Sequence, residues 1–138
     1  MSDGPLRIEA GRSTLVSEEL CSGRVWVDRL ARGIPPSRTT LVKAMFEPGS
    51  RTAWHVHQYG QILHVLDGDL VVQEVDQPAQ RIPAGAAIAC TPGVAHWHGS
   101  GRDRALVVLG VVDVDDTGSE AQWGALVTDE EYAAAVDG

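Results

Sequence analysis

The sequence predicts an all-β domain, a barrel or sandwich of mostly antiparallel strands, and three observations carry that expectation. Strand-length apolar segments separated by Gly, Pro and Asp turn residues recur every 8 to 12 residues between Thr40 and Val114. No amphipathic helical stretches alternate with them, as a parallel sheet with crossover helices would require. The 138 residues suit one domain, with 43% hydrophobic and 22% charged residues, the balance of an ordinary globular protein.

Taken in order, residues 1–39 read as an N-terminal arm and first strands. Short apolar pieces such as Leu6-Arg7-Ile8 give way to Val25-Trp26-Val27-Asp28-Arg29-Leu30, and Gly33 to Ser37 then breaks the pattern. Residues 40–114 form the barrel core. In the strand Thr40 to Phe46, placing Lys43 outward turns Val42, Ala44 and Phe46 inward. Strands follow over Thr52 to His57 and Gln61 to Leu66, joined by Gln58-Tyr59-Gly60, a hairpin-length connection with a glycine available for positive φ. Asp67-Gly68 turns the chain into Asp69 to Val75. Arg81 to Pro83 and Ala86 to Thr91 are short strands, and Ala105 to Val114, continuously apolar, reads as a strand buried on both faces. Residues 115–138 are a tail. There Thr128 stands three residues before Glu131, ahead of Tyr132 and three alanines, a helix start.

Within this frame His55 and His57 alternate along a strand and converge on one face, which is the pattern of two metal ligands. Gln61 can fold back beside them through the hairpin. His96 and His98, after the Pro92-Gly93 turn, share a face of another strand about 7 Å apart. His64 falls on the face opposite Gln61 and is read as a packed or surface residue. Trp54 and Trp97 alternate with the histidines and point away from the site. A single barrel would expose them, so the arm or a second subunit is expected to cover them and a homodimer is favoured, with burial between two sheets of one chain as the alternative. Glu18-Glu19, Asp113 to Asp116 and Asp129 to Glu131 read as solvated surface. Cys21 and Cys90, too few for a disulfide framework, read as reduced thiols.

The formal net charge of −8 argues against nucleic acid or an anionic membrane as a partner. No run reaches membrane-spanning length, and the first residues lack a basic segment followed by an apolar one. A cytoplasmic location is expected, with a small-molecule substrate as the main partner.

The spacing of Gly49, His55, His57, Gln61 and Gly68 resembles the first motif of the cupin superfamily, in which Glu usually stands at position 61. Gly85 to His96, with Gly93, resembles the second motif, but Ala86 replaces a common Asp and Thr91 a common Pro. The fold this implies is a cupin jelly-roll barrel, a double-stranded β-helix with the metal inside. Trp54-His55-x-His57-x3-Gln61-Ile62-Leu63, with His96-Trp97-His98-Gly99, is more closely similar to small bacterial cupins that include manganese-dependent hydroxynitrile lyases. That resemblance implies His55, His57, Gln61 and His96 as ligands of one divalent transition metal. Manganese or iron is favoured; zinc, nickel and cobalt are chemically compatible.

Three imidazoles and an amide oxygen are a neutral ligand set, which suits Lewis-acid chemistry. His98 would serve as general base or would orient ligands by hydrogen bonding. Val42, Ala44 and Val112 are expected to line an apolar substrate pocket. The function implied is a lyase making or breaking a C–C bond in a small oxygenated molecule. Polyketide cyclisation and metal-dependent dioxygenation are alternatives, and noncatalytic binding of a small ligand is the other class.

Overall fold

The protein is described by a computed structural model covering residue 6 and residues 11–138. The piece Leu6-Arg7-Ile8 therefore lies mostly outside the described residues. The elements in order are β1 (Ser13–Leu15), β2 (Cys21–Ser22), β3 (Val25–Arg32), β4 (Thr39–Phe46), β5 (Arg51–Thr52), β6 (His55–Val56), β7 (Gln61–Asp67), β8 (Asp69–Glu74), β9 (Gln80–Pro83), β10 (Ala87–Cys90), β11 (His96–Gly99), β12 (Leu106–Asp113), β13 (Gln122–Trp123) and the helix α1 (Asp129–Asp137).

The strands form two curled antiparallel sheets, a mostly-β cupin-like barrel. One sheet runs β1-β3-β4-β12-β7-β10; the other runs β13-β6-β11-β5-β2, with β8 pairing β11 and β9. Between them sits a core of Val25, Phe46, Leu63, Val65, Leu70, Val72, Leu106 and Val108, contributed by alternate positions of both sheets. The hairpin before β7 depends on Gly60 at φ 78°, where an added Cβ would lie 2.7 Å from the carbonyl oxygen of Cys90.

Four sequence expectations need correction. The strand from Thr52 to His57 is broken, because the amides of Ala53 and Trp54 leave the ladder and donate to the carbonyls of Leu20 and Ala125. The segment Ala105 to Val114 is buried on one face only. Leu106, Val108 and Val112 point into the core, whereas Val107, Leu109 and Val111 are half-exposed because no described element packs over that side of the sheet. Trp97 is fully buried, and its cover is neither the arm nor a second subunit but the C-terminal segment of the same chain, Tyr132 of α1 and Val127 just before it, together with Val71 of β8; half-buried Trp54 joins this cluster. Asp115, expected on the solvated surface, is 3% exposed and fully hydrogen-bonded.

The helix forms where Thr128 and Glu131 complete a capping box, with three acidic residues in the first turn facing the positive end of the helix dipole. Arg51, nearly buried, fastens it by donating to the Val127 carbonyl and the Asp129 carboxylate, both at 2.8 Å. This second cluster backs β11, the strand that carries His96 and His98.

Candidate metal centre

Sheet register brings the histidines together. His55 on β6 lies directly opposite His96 on β11, and both project to the inner face. Their ring centroids are 4.4 Å apart. His57, just past β6, stands 4.9 Å from His55 and 5.3 Å from His96, and His98 stands 5.3 Å from His55 and 5.7 Å from His96. All four are buried. Donor atoms of His55, His96 and His98 fall within 4.8 Å of one another. The tightest trio thus contains His98, the residue expected as a base, while His57 approaches from the side. Gln61 reaches toward His57 from the other sheet, where Cys90 and Val112 flank it in register. His64 is on the outer face, paired with Leu109 and Ala87.

The hydrogen bonding orients two of the rings. His55 Nδ1 donates to the Ala53 carbonyl at 2.8 Å, and His57 Nδ1 donates to the Glu120 carbonyl at 2.7 Å, so each directs a bare Nε2 inward. Burial holds every one of these imidazoles neutral. His55 and His98 lie well below the ordinary histidine range, His57 is lowered, and His96 is pushed down to about 4, each chiefly by desolvation; neighbouring histidines add to the lowering at His55, His96 and His98, while at His57 the hydrogen bond to the Glu120 carbonyl opposes it.

These residues fit a transition metal. Among the described residues, the buried side-chain nitrogens and oxygens lacking a hydrogen-bond partner are Arg51 Nε and five atoms here: His57 Nε2, Gln61 Oε1, both ring nitrogens of His96, and His98 Nδ1. Buried polar atoms are normally satisfied, so such a concentration of lone pairs is what a cation would satisfy. Every donor is neutral. Cys90, whose thiol is pushed up to about 12 by burial, and buried Cys21 are both free cysteines.

Above the site is a cavity of about 620 Å³ lined by His55, His57, Gln61 and His98, with Val42, Ala44, Val112, Phe46, Leu63 and Val108 forming apolar walls. His96 lies behind the lining. Trp123 and Leu15, both 45% exposed, stand at its surface.

Several contributing residues were not foreseen. Trp123 on β13 pairs with His55 in register and its ring lies 4.7 Å from that imidazole. The loop presenting Glu120 is tied by the Asp115 carboxylate, which accepts from Thr117 N and Oγ1, Ser119 N and Gln122 Nε2. These bonds also hold its acidity strong, well below the usual carboxylate range. Gly110 makes room for Gln61, since a Cβ there would sit 3.3 Å from the amide nitrogen. Thr91, the departure from the second motif, donates its backbone N–H to Glu74 at 2.8 Å and its hydroxyl at 3.1 Å. Proline could not make the first of these bonds.

Comparison with known proteins agrees with this architecture. A family model described as "Cupin domain" matches residues 42–112. The chain is 35% identical to an (R)-mandelonitrile lyase of Granulicella tundricola over 111 residues, 80% of this chain and 84% of that protein. A cupin-like protein of Thermotoga maritima superposes with a TM-score of 0.83 at 36% identity, covering 92% of this chain and 96% of that one. The polyketide cyclase RemF of Streptomyces resistomycificus shares the fold, with a TM-score of 0.69 at 18% identity over 96% of this chain and 92% of its own. No helix among the described residues is long and apolar enough to cross a membrane. With the motif histidines on paired strands of one curled sheet and these likenesses, the chain belongs to the cupin family.

Proposed function

We propose that this cupin is a metal-dependent lyase that cleaves, and in reverse forms, the C–C bond between a carbonyl-derived carbon and a nitrile. The observation that carries this reading is the set of unpartnered neutral donors beneath a cavity walled in part by Val42, Ala44, Phe46 and Val112, in a chain 35% identical to a mandelonitrile lyase. His55, His57, Gln61 and His96 would hold the ion, which by the family resemblance is manganese or iron. The chemistry such an ion would supply is Lewis-acid polarisation of a substrate oxygen, which suits a ligand set that contains no carboxylate.

The chain's own residues do the rest. Val42, Ala44, Phe46 and Val112 take the hydrocarbon body of the substrate and exclude water from it. His98, neutral and with Nδ1 unpartnered, takes the hydroxyl proton. The oxygen's electron pair becomes the carbonyl π bond as the bond to the nitrile carbon breaks, and that bonding pair leaves on cyanide. The imidazolium then returns the proton to give HCN. A buried site disfavours the charged imidazole, which drives that return.

The test is release of benzaldehyde from racemic mandelonitrile by the manganese-loaded protein, followed with and without oxygen and after chelation. The proposal expects turnover that survives removal of oxygen and is lost with the metal. Release equal to the buffer blank would overturn it. Oxygen uptake with a diol or flavonoid would point to the dioxygenase instead.

A further inference from the structure

We propose that the substrate carries a carboxylate at the end remote from its reacting oxygen, and that Arg29, at the mouth of the cavity, binds it. The proposal rests on the reading of this cavity as the substrate site and narrows the class of molecule that fits there. At about 620 Å³ the cavity is of a size that encloses a drug-sized molecule, well beyond mandelonitrile. Its mouth is charged. Val25, Val27 and Arg29 alternate along β3 on the inner face, with Arg29 opposite Val42 in register, so an arginine stands where the strand otherwise places valine. Among the described residues, the charged ones in the lining are Arg29, Arg32 and Glu120. In a chain of formal charge −8, a lining whose single acid is outnumbered favours an anion.

The Arg29 guanidinium is both held and available. Its Nη2 donates to Glu120 Oε1 at 2.6 Å, and the carbonyl of the same Glu120 accepts from His57 Nδ1 at 2.7 Å. One residue thus fixes the guanidinium relative to the candidate metal ligands. Glu120 engages a single nitrogen and the arginine side chain is 53% exposed, which leaves its other N–H groups for a second carboxylate. The spacing fits a particular kind of body. In the order β3-β4-β12-β7, Arg29 starts three strands from Leu63 on its own row, about 14 Å at the usual strand separation and less between the inward tips of a curled sheet. Gln61 is the next inward residue along β7. Between Arg29 and Leu63 the row holds Val42 and Gly110, an uncharged floor with room for a ring or a short chain.

The test reads binding rather than turnover. Calorimetric titration of the manganese-loaded protein compares 4-carboxybenzaldehyde with methyl 4-formylbenzoate, which keeps the ring and the aldehyde but not the charge. The wild type is expected to bind the carboxylate about tenfold more tightly than the ester at low salt, as one charge-assisted contact would give, with the gap narrowing at high salt. Arg29→Gln, an uncharged change at an exposed position, is expected to bind the two alike, and Arg29→Lys to retain a preference for the carboxylate. Circular dichroism and elemental analysis check that each variant is folded and loaded. Equal affinities in the wild type would overturn the proposal. So would a carboxylate preference that persists in Arg29→Gln, as direct ligation of the metal by the carboxylate would produce. Binding that depends on Arg29 in a protein that leaves mandelonitrile intact would uphold the proposal and sink the lyase reading alone.

Discussion

Helix α1 is held chiefly by Tyr132, and replacing it measures how firmly the tail backs the histidine-bearing strand. Its side chain is 3% exposed and its ring lies 6.1 Å from that of Trp97. The Arg51 guanidinium stands 4.6 Å over the ring, and the hydroxyl donates to the buried Ser100 carbonyl at 2.8 Å. Tyr132→Phe keeps the packing but strips that carbonyl of its donor, a loss of about 1–1.5 kcal/mol. Tyr132→Ala also removes the ring from a close-packed cluster, and with the hydrogen bond the loss is about 4–5 kcal/mol. An unfolding entropy of about 2.1 cal/mol/K per residue makes 1 kcal/mol worth about 3–4 °C in a chain this long, so Tm should fall by about 4 °C for Phe and about 15 °C for Ala. Scanning calorimetry, paired with urea unfolding followed by tryptophan fluorescence, reads both. A Tyr132→Ala loss below about 2 kcal/mol would refute the claim that α1 is an integral layer over Trp97.

Other consequences concern the site. In the metal-free protein the four histidines stay neutral when folded but take protons near pH 6.5 once unfolded, so stability is full above 6.5 and declines as pH falls toward about 4, where His96 titrates. The urea midpoint should drop across that window; a flat profile from pH 7 to 5 would contradict the burial of neutral imidazoles. His98→Ala is expected to reduce turnover by about 10² to 10⁴ with metal retained. Loss of the metal instead would make His98 a ligand, in keeping with its place in the tightest trio. Asp115→Asn would set an amide against Gln122 Nε2 and loosen the loop that offers the Glu120 carbonyl to His57, weakening manganese affinity about tenfold by calorimetry. Unchanged affinity would mean that the loop does not orient His57.

The barrel and its histidines were legible because they rest on local periodicity. Alternation put Val42, Ala44 and Phe46 on the inner face, paired His55 with His57, and placed His64 outside. What escaped depends on contacts distant in sequence. Nothing local shows that Tyr132 will cover Trp97, or that the amides of Ala53 and Trp54 will desert the strand for Leu20 and Ala125. Asp115 looks like its acidic neighbours, yet a turn folds four donors onto its carboxylate. The apolar run of β12 has the composition of a doubly covered strand, and only its partners reveal one face left open.

The most direct test of the central claim is the metal content of the purified, manganese-exchanged protein by elemental analysis, beside that of the His55→Ala/His57→Ala variant. The wild type should carry about one transition-metal ion per chain and the variant almost none, since two of the donors are gone. A wild type that holds no metal, or a variant that holds as much, would contradict it.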